Sequence, residues 1–437
     1  MSRARCMIAG FLAASGLAAL APGCGSSAPE PGVPENPGPA TGDPGGPGPS
    51  GPGDQPGEAE KTPGADDLRI AAIEKAVNET KAVRHQCWAY AAADNYQVSG
   101  RLILGFTFGD GDTATIDVVD DGVREPRLVG CVTELYSKYR WPAGVFASSN
   151  RIELPFSFKA PDYQYTVHAD HVSERSPPMP PPASGKPATV SVKVLMDEVN
   201  TGNGAAAVSL LSVVGDLDMP LHRHARTTEV FYVLSGQGWF YSLDGDRRGV
   251  KVGPGEAVYI APGTAHGVVH KGDEPWVLVQ LFTPSGPQKR YRGSPPVDVT
   301  WVSKDEIRRR PKRFARPLVS RKTTDYIIAG GKGRVGFHFD ESNTGSKAVY
   351  FGVITTTEAI AIPPHKHPGE TEIVLMLEGD NVTTVDGEAY PLGPMTLLQV
   401  PPGVEHSLDS KDGAAMRVLQ FYTPAGPEQR FKEVPAR

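Results

Sequence analysis

At 437 residues the chain is longer than one hydrophobic core organises, and roughly two to four domains are expected. A net charge of −6 gives no ground for a nucleic-acid partner. The 49 Gly and 42 Pro exceed globular usage and point to unstructured linkers, against only four cysteines and 11 histidines.

Arg3 and Arg5 precede an apolar run from Met7 to Leu20, too short to span a membrane and placed as an export signal. The run ends in LAPGC and resembles a bacterial lipoprotein signal, although Ala21 sits where Leu is usual. The resemblance implies that residues 1–24 direct export, that Cys24 is lipidated, and that the protein is held on a membrane of the cell envelope, the outer membrane being expected. A plain secretory peptide is the alternative. Residues 25–66 follow as a tether, with 11 Pro and 11 Gly between 25 and 64 and a coil span of roughly 35 Å.

Residues 67–160 carry a different pattern. Ile70, Ile73 and Val77 repeat at helical spacing, and that helix can continue to Cys87. RLILGFTF then alternates, with Leu102, Leu104, Phe106 and Phe108 on one face, and GDGD at 109–112 supplies a hairpin turn. The strand TATIDVV, a stripe of Leu128, Cys131, Val132 and Leu135, and the strand RIELPFSF complete an α-β-β-α-β order. In an exported domain Cys87 and Cys131 are expected to pair, closing a loop of about 45 residues worth about 4 kcal/mol in the chain-entropy model; two buried free thiols are the alternative. The layout resembles the TonB-C-terminal-like domain of the AgmX/PglI type, which implies an envelope protein partner rather than catalysis. His85, His168 and His171 read as surface or edge residues. A Pro-rich linker, 161–189, containing SPPMPPPASG, ends the segment.

From 190 the chain repeats itself. DEVNTG at 197–202 returns as DESNTG at 340–345, HRHARTTEVFYVLSG returns as HKHPGETEIVLMLEG, and QLFTPSGPQKRY returns as QFYTPAGPEQRF. Such repetition marks a duplicated domain. Short strands separated by Gly and Pro turns predict antiparallel barrels, with SKDEIRRR at 303–310 the one convincing helix. The expected units are residues 190–292, a basic connector at 293–325, and residues 326–437.

In a strand His222 and His224 point the same way, into the barrel; Glu229 opens the next strand and His266 follows a turn. The second copy supplies His365, His367, Glu372 and His406. Three imidazoles and a carboxylate on one face suit Mn, Fe, Zn, Ni or Co, with coordination positions left open and up to two metals per chain. Gly215, His222, His224, Glu229, Gly236, Gly255, Gly263 and His266 resemble the cupin motifs, as do His365, His367, Glu372, Gly379, Pro401, Gly403 and His406. The departures, Ala261, Met395, His270 and Ser410, touch turns and pocket lining. The resemblance implies a mainly β chain: two tandem double-stranded β-helix (RmlC-like jelly-roll) barrels plus the small α+β domain.

His270, four residues beyond His266, is expected to line the first pocket as an acid–base group, with a rim histidine as the alternative. Phe231, Gln280 and Gln420 are expected to line the pockets, and the two glutamines either orient ligand or water or satisfy barrel backbone. Nine basic residues between Lys304 and Lys322 read as a solvated face. The expected activity is metal-dependent turnover of a small oxygenated acid, of dioxygenase or decarboxylase type; the alternative is a non-catalytic metal- and ligand-binding receptor or assembly module.

Overall fold

The computed structural model describes residues 64–146, 151–178, 187–243, 249–295, 297–309, 315–409 and 415–433. The export signal with Cys24, the tether up to 63, Ser410 and positions 310–314 of the basic run lie outside these residues. Among the described residues no helix is long and apolar enough to cross a membrane.

The first domain opens with α1 (Ala65–Glu79) and α2 (Lys81–Ala92). One continuous helix was expected; Thr80 divides it, because its hydroxyl donates to the Ala76 carbonyl at 2.6 Å and meets the Tyr136 hydroxyl at 2.8 Å. The buried seam of α1 is Ala72 and Ala76, while Ile70 is 56% exposed, so the expected stripe is rotated. Strands β1 (Gly100–Phe108) and β2 (Ala114–Asp121), α3 (Pro126–Ser137) and β3 (Arg151–Phe158) follow, and the sheet order is β2-β1-β3. Leu102, Leu104, Phe106 and Phe108 are all buried on one face, as the alternation requires. On α3 the seam is Leu128, Val132 and Tyr136, with Leu135 half-buried. Cys87 and Cys131 form a disulfide.

The segment expected as a linker is structured where it is described. Residues Thr166–His168 form β4, which pairs with a strand more than 200 positions later. Gln164 explains part of this placement: its amide N–H donates to the Thr201 carbonyl at 3.0 Å, and its carbonyl accepts from Gln399 Nε2 at 2.9 Å.

The first module contains β5 (Thr189–Met196), β6 (Ala207–Val214), β7 (Leu217–Arg223), β8 (Thr228–Ser235) and β9 (Gly238–Tyr241). It continues with β10 (Val250–Val252), β11 (Ala257–Ile260), β12 (His266–His270) and β13 (Trp276–Thr283). The connector adds β14 (Thr300–Trp301), α4 (Lys304–Arg309) and β15 (Leu318–Ser320), so it too is part of the fold. The strands form a sheet β15-β11-β8-β13-β6-β5 facing a sheet β10-β9-β12-β7-β14.

The second module contains β16 (Thr324–Ile328), β17 (Gly333–Phe339), the single turn α5 (Glu341–Thr344), β18 (Tyr350–Thr356) and β19 (Ala361–His365). Then come β20 (Thr371–Glu378), β21 (Asn381–Val385), β22 (Glu388–Leu392), β23 (Thr396–Val400), β24 (His406–Asp409) and β25 (Arg417–Thr423). Its sheets run β16-β17-β18-β25-β20-β23-β4 and β19-β24-β21-β22. Each barrel has its own apolar interior, and a third layer, including Val230, Tyr232, Leu281, Phe351, Ile373 and Phe421, joins the outer faces of the two large sheets.

The repeated motifs are structural where they sit outside the histidines. Asp197 and Asp340 cap equivalent turns and pair with Arg292 and Lys432, at 2.7 and 2.5 Å. Gly236 has φ +71°, and a Cβ there would land on the Pro275 carbonyl oxygen; Gly379 repeats the arrangement. Met395 holds a φ of 61° where the first copy has Gly255, so the chain accepts that strain.

Replacing both disulfide cysteines, Cys87→Ser with Cys131→Ser, is expected to destabilise the first domain by about 4 kcal/mol. Urea unfolding of the two proteins checks this, and superimposable transitions would count against a role for the bridge.

Candidate metal centres

Strand pairing assembles the first cluster. His266 opens β12 directly opposite His222 on β7, and on the other edge Trp301 of β14 also pairs with His222. His224 lies two residues on, so its ring projects to the same side. The ring centroids are 4.3 Å (His222–His266), 5.2 Å (His222–His224) and 5.3 Å (His224–His266) apart. Glu229 arrives from β8 in the facing sheet, its Oε2 lying 2.9 Å from His266 Nε2 and 3.4 Å from His224 Nε2. The second copy matches: His365 pairs with His406, and Glu372 Oε2 lies 3.0 Å from Nε2 of both His367 and His406. One ligand atom from each of these four residues falls within 4.8 Å of all the others; in the first copy the three histidines meet that limit and Glu229 reaches two of them.

The backbone fixes which nitrogen faces inward. Nδ1 of His222, His266, His365 and His406 lies 2.9 to 3.2 Å from the carbonyl two residues earlier, those of Pro220, Thr264, Pro363 and Val404. His224 Nδ1 reaches the Asp298 carbonyl at 3.1 Å. A carbonyl only accepts, so each Nδ1 carries the hydrogen and a neutral ring turns its Nε2 lone pair into the barrel. The connector is part of this clamp: Asp298 also accepts from the amides of Ala225, Arg226 and Thr227, each at 2.9 Å.

Lone pairs and a carboxylate thus converge in a buried space. His224 Nε2, Glu229 Oε2 and His365 Nε2 are buried without a hydrogen-bond partner. Burial opposes the Glu229 charge, but the imidazoles of His224 and His266 beside it hold its carboxyl well below the usual range, and Glu372 is lowered in the same way by His367 and His406. Burial, reinforced by His266, brings His222 down to about 3, and burial lowers His365 too. For His224, burial is outweighed by Glu229, and the value rises. Neutral imidazole nitrogens around a carboxylate are the donor set of a divalent transition metal, so both clusters could hold one.

A second layer orients each carboxylate. Gln280 Nε2 donates to Glu229 Oε1 at 2.6 Å, and the Tyr291 hydroxyl donates to Gln280 Oε1 at 2.9 Å. Gln420 Nε2 donates to Glu372 Oε1 at 2.6 Å, and the Tyr422 hydroxyl adds a bond at 3.2 Å. The glutamines therefore hold the acids. Phe231 and Gln280 line a barrel cavity of about 40 Å³ together with His222, Glu229, His266 and Arg290. Arg290 and Tyr291 were not singled out in the sequence, although they lie in the repeated QKRY/EQRF stretch.

His270 does not reach this cavity. It shares the strand face of His266, but four residues along a strand amount to about 13 Å. Its ring stacks on Trp276, with centroids 5.8 Å apart, and its Nδ1 donates to the Gln237 carbonyl at 2.9 Å. His270 thus sits behind Trp276 and not in the acid–base position expected beside the cluster. His85 is exposed and His168 and His171 are half-buried, as the surface or edge reading requires, and all three line a cleft against the second module.

Two stretches, residues 212–282 and 354–422, match the model of the Cupin domain. Each of the two modules thus contains a stretch similar to the Cupin domain. A 65-residue stretch is 32% identical to glucose-6-phosphate isomerase of Thermococcus onnurineus, covering 14% of this chain and 34% of that protein. The corresponding protein of Pyrococcus furiosus is 34% identical over 65 residues, again 14% of this chain and 34% of the relative. The chain thus spans about a third of the length of the curated relatives it matches. Among solved structures, oxalate decarboxylase from Bacillus subtilis at pH 4.6 aligns with a TM-score of 0.44 and 16% identity, covering 62% of this chain and 80% of that one.

The charges of the two cupins set an acid limit on stability. Glu229 and Glu372 contribute above the unfolded carboxylate value of about 4.3, and the contribution is lost as pH falls through their depressed folded values. His222, at about 3, stays neutral in the fold and His365 is harder to protonate there, yet both take up protons when unfolded below about pH 6.5, which also weakens the fold toward acid. The raised His224 acts in the opposite sense, its contribution being full below about 6.5 and lost as pH rises. With four groups against one, chelator-treated protein is expected to unfold at lower urea at pH 4 than at pH 7; an equal or higher midpoint at pH 4 would contradict this.

Proposed function

We propose that this chain is a lipid-anchored protein of the bacterial cell envelope whose cupins each bind a divalent transition metal, and that it turns over a small oxygenated acid. The carrying observation is the pair of equivalent clusters in which imidazole Nε2 atoms and a carboxylate oxygen converge. Convergence twice over, at positions related by the repeat, is what a retained ligand set requires. His222, His224, His266 and Glu229 would hold one metal, and His365, His367, His406 and Glu372 the other. A bound metal would supply Lewis-acid polarisation of a substrate oxygen. The chain's own part is to fix the carboxylate through Gln280 or Gln420, to keep five of the six imidazoles in one tautomer, and to exclude water with residues such as Phe231 and Trp276. Lipidation at Cys24 would anchor the protein, with residues 67–160 available to an envelope protein partner.

The second reading, a metal- and ligand-binding receptor or assembly module without turnover, draws on the small barrel cavity, about 40 Å³, which leaves little room for a reacting molecule beside a metal. Metal analysis separates both readings from a metal-free fold, and oxygen uptake or carbon dioxide release with a panel of small acids separates the two from each other. Protein produced without residues 1–24 is expected to carry up to two metal equivalents, with His222→Ala removing one and His365→Ala the other. Protein that binds no metal at either site would end the proposal; loaded protein inert across the panel would favour the receptor.

The layer behind the ligands makes a finer prediction. Gln280→Leu strips the donor from Glu229 and is expected to weaken metal binding in the first cupin by about 10- to 100-fold. Gln420→Leu is expected to do the same in the second, and equilibrium dialysis against each variant checks both.

A further inference from the structure

A cleft of about 680 Å³ lies outside the first barrel, a size typical of organic-ligand sites. Its walls are largely apolar: Pro177, Leu221, Trp301 and Val302 among them. Met219, Arg290 and Tyr291 line both this cleft and the barrel cavity, so they form the partition between the outer space and the His222 cluster.

Arg290 is the charged group in that partition. Its Nη2 donates to the Tyr291 hydroxyl at 2.9 Å and its guanidinium lies 4.9 Å from the Tyr291 ring centroid. Its Nε is buried with no hydrogen-bond partner, and among the described residues no carboxylate lies within ion-pair distance of it, Glu229 acting on it only from farther off. A cation held among apolar walls with an unused donor edge is costly unless an anion meets it. A guanidinium edge matches the two oxygens of a carboxylate, in geometry as well as charge. Beside it, Trp301 is 53% exposed although it is a large aromatic, and its ring centroid lies 5.5 Å from that of His222. The β-pairing of Trp301 with His222 holds this exposed ring at the mouth. The second cupin differs: its equivalent, Arg430, is exposed and donates to the Tyr422 hydroxyl at 3.3 Å.

We infer that the first cupin takes an organic monocarboxylate with an apolar body, its carboxylate on Arg290 and its body in the outer cleft against Trp301 and Leu221. This deepens the reading above and rests on it only for the direction of the reacting end, toward His222. It also answers the objection of the small barrel cavity, because the bulk of the ligand stays outside it. The first cupin is then the acid-binding one, and the second is not equivalent to it despite the shared ligand set.

The test is calorimetric titration of the protein, without residues 1–24, with phenylacetate, its neutral isostere phenylacetamide, and acetate. Both chelator-treated and metal-loaded protein are titrated. Phenylacetate is expected to bind about tenfold or more tighter than either of the others. Arg290→Gln is expected to erase the preference for acid over amide, Arg290→Lys to retain part of it, and Arg430→Gln to leave it unchanged. Trp301→Ala is expected to weaken phenylacetate about tenfold while leaving acetate as it was. Circular dichroism checks that each variant is folded, and the exposed Trp301 keeps the test informative should Arg290 variants misfold. Equal affinity for acid and amide, or a preference indifferent to Arg290 or Trp301, would overturn the inference. If the Arg290-dependent preference survives in protein that binds no metal, the metal reading alone falls. If metal-loaded protein shows no such preference, this inference alone falls.

Discussion

The apolar layer between the two large sheets is the contact on which the cupin pair depends. Strand β8 is buried on both faces from Thr228 to Val233, one side turned into its barrel and the other toward the second cupin. A single cupin of this sequence would leave Val230, Tyr232, Leu281 and their counterparts Ile373 and Phe421 in water. Packing them together relates the halves by an approximate twofold axis, and the axis is visible where repeat-equivalent Thr283 and Thr423 hydroxyls meet at 2.6 Å. With the outer faces spent on one another, the inner faces are free to carry polar groups.

Those inner faces hold an arrangement that water would not tolerate loosely. Four histidines give their Nδ1 hydrogen to the carbonyl two residues back, so the strand that carries each ring also sets its tautomer. The glutamates are steadied from the far side by Gln280 and Gln420, themselves held by Tyr291 and Tyr422. In a low-dielectric interior such chains are stiff, which keeps Nε2 atoms facing a carboxylate oxygen at about 3 Å. The first cupin adds Asp298, which at once accepts from His224 and caps the turn after it.

Much of this was legible in the residues. The spacing of His222 and His224, its return at His365 and His367, and the alternation Leu102–Phe108 each follow a strand's period of two, and period is a local property. What escaped depends on distant partners. Thr80 broke a helix through a hydroxyl shared with Tyr136, 56 positions away, and nothing in the helical stripe announced it. Residues 166–168 and 300–301 look like linker because they are short, and they become strands only against edges built elsewhere. His270 was placed on the correct strand face but at the wrong depth, since alternation gives side and not distance. Arg290 lay in a quoted repeat, yet its importance comes from the cleft it separates from the barrel, which no sequence pattern encodes.

Strand β4 has a consequence for how the molecule is made. It pairs with β23, Thr166 lying opposite Leu398 and His168 opposite Thr396, so a stretch of the early chain finds its place on an edge that does not exist until some 400 residues have been synthesised. Chains emerge from the ribosome N-terminus first, and domains fold as they appear. The leading domain and the first module can each pair their strands from their own residues, but the strap between them has to wait for β23. Assembly therefore ends where it began, with the early segment stitched onto the last-made half, and the joint between the leading domain and the cupin pair is sealed only when the whole molecule is present.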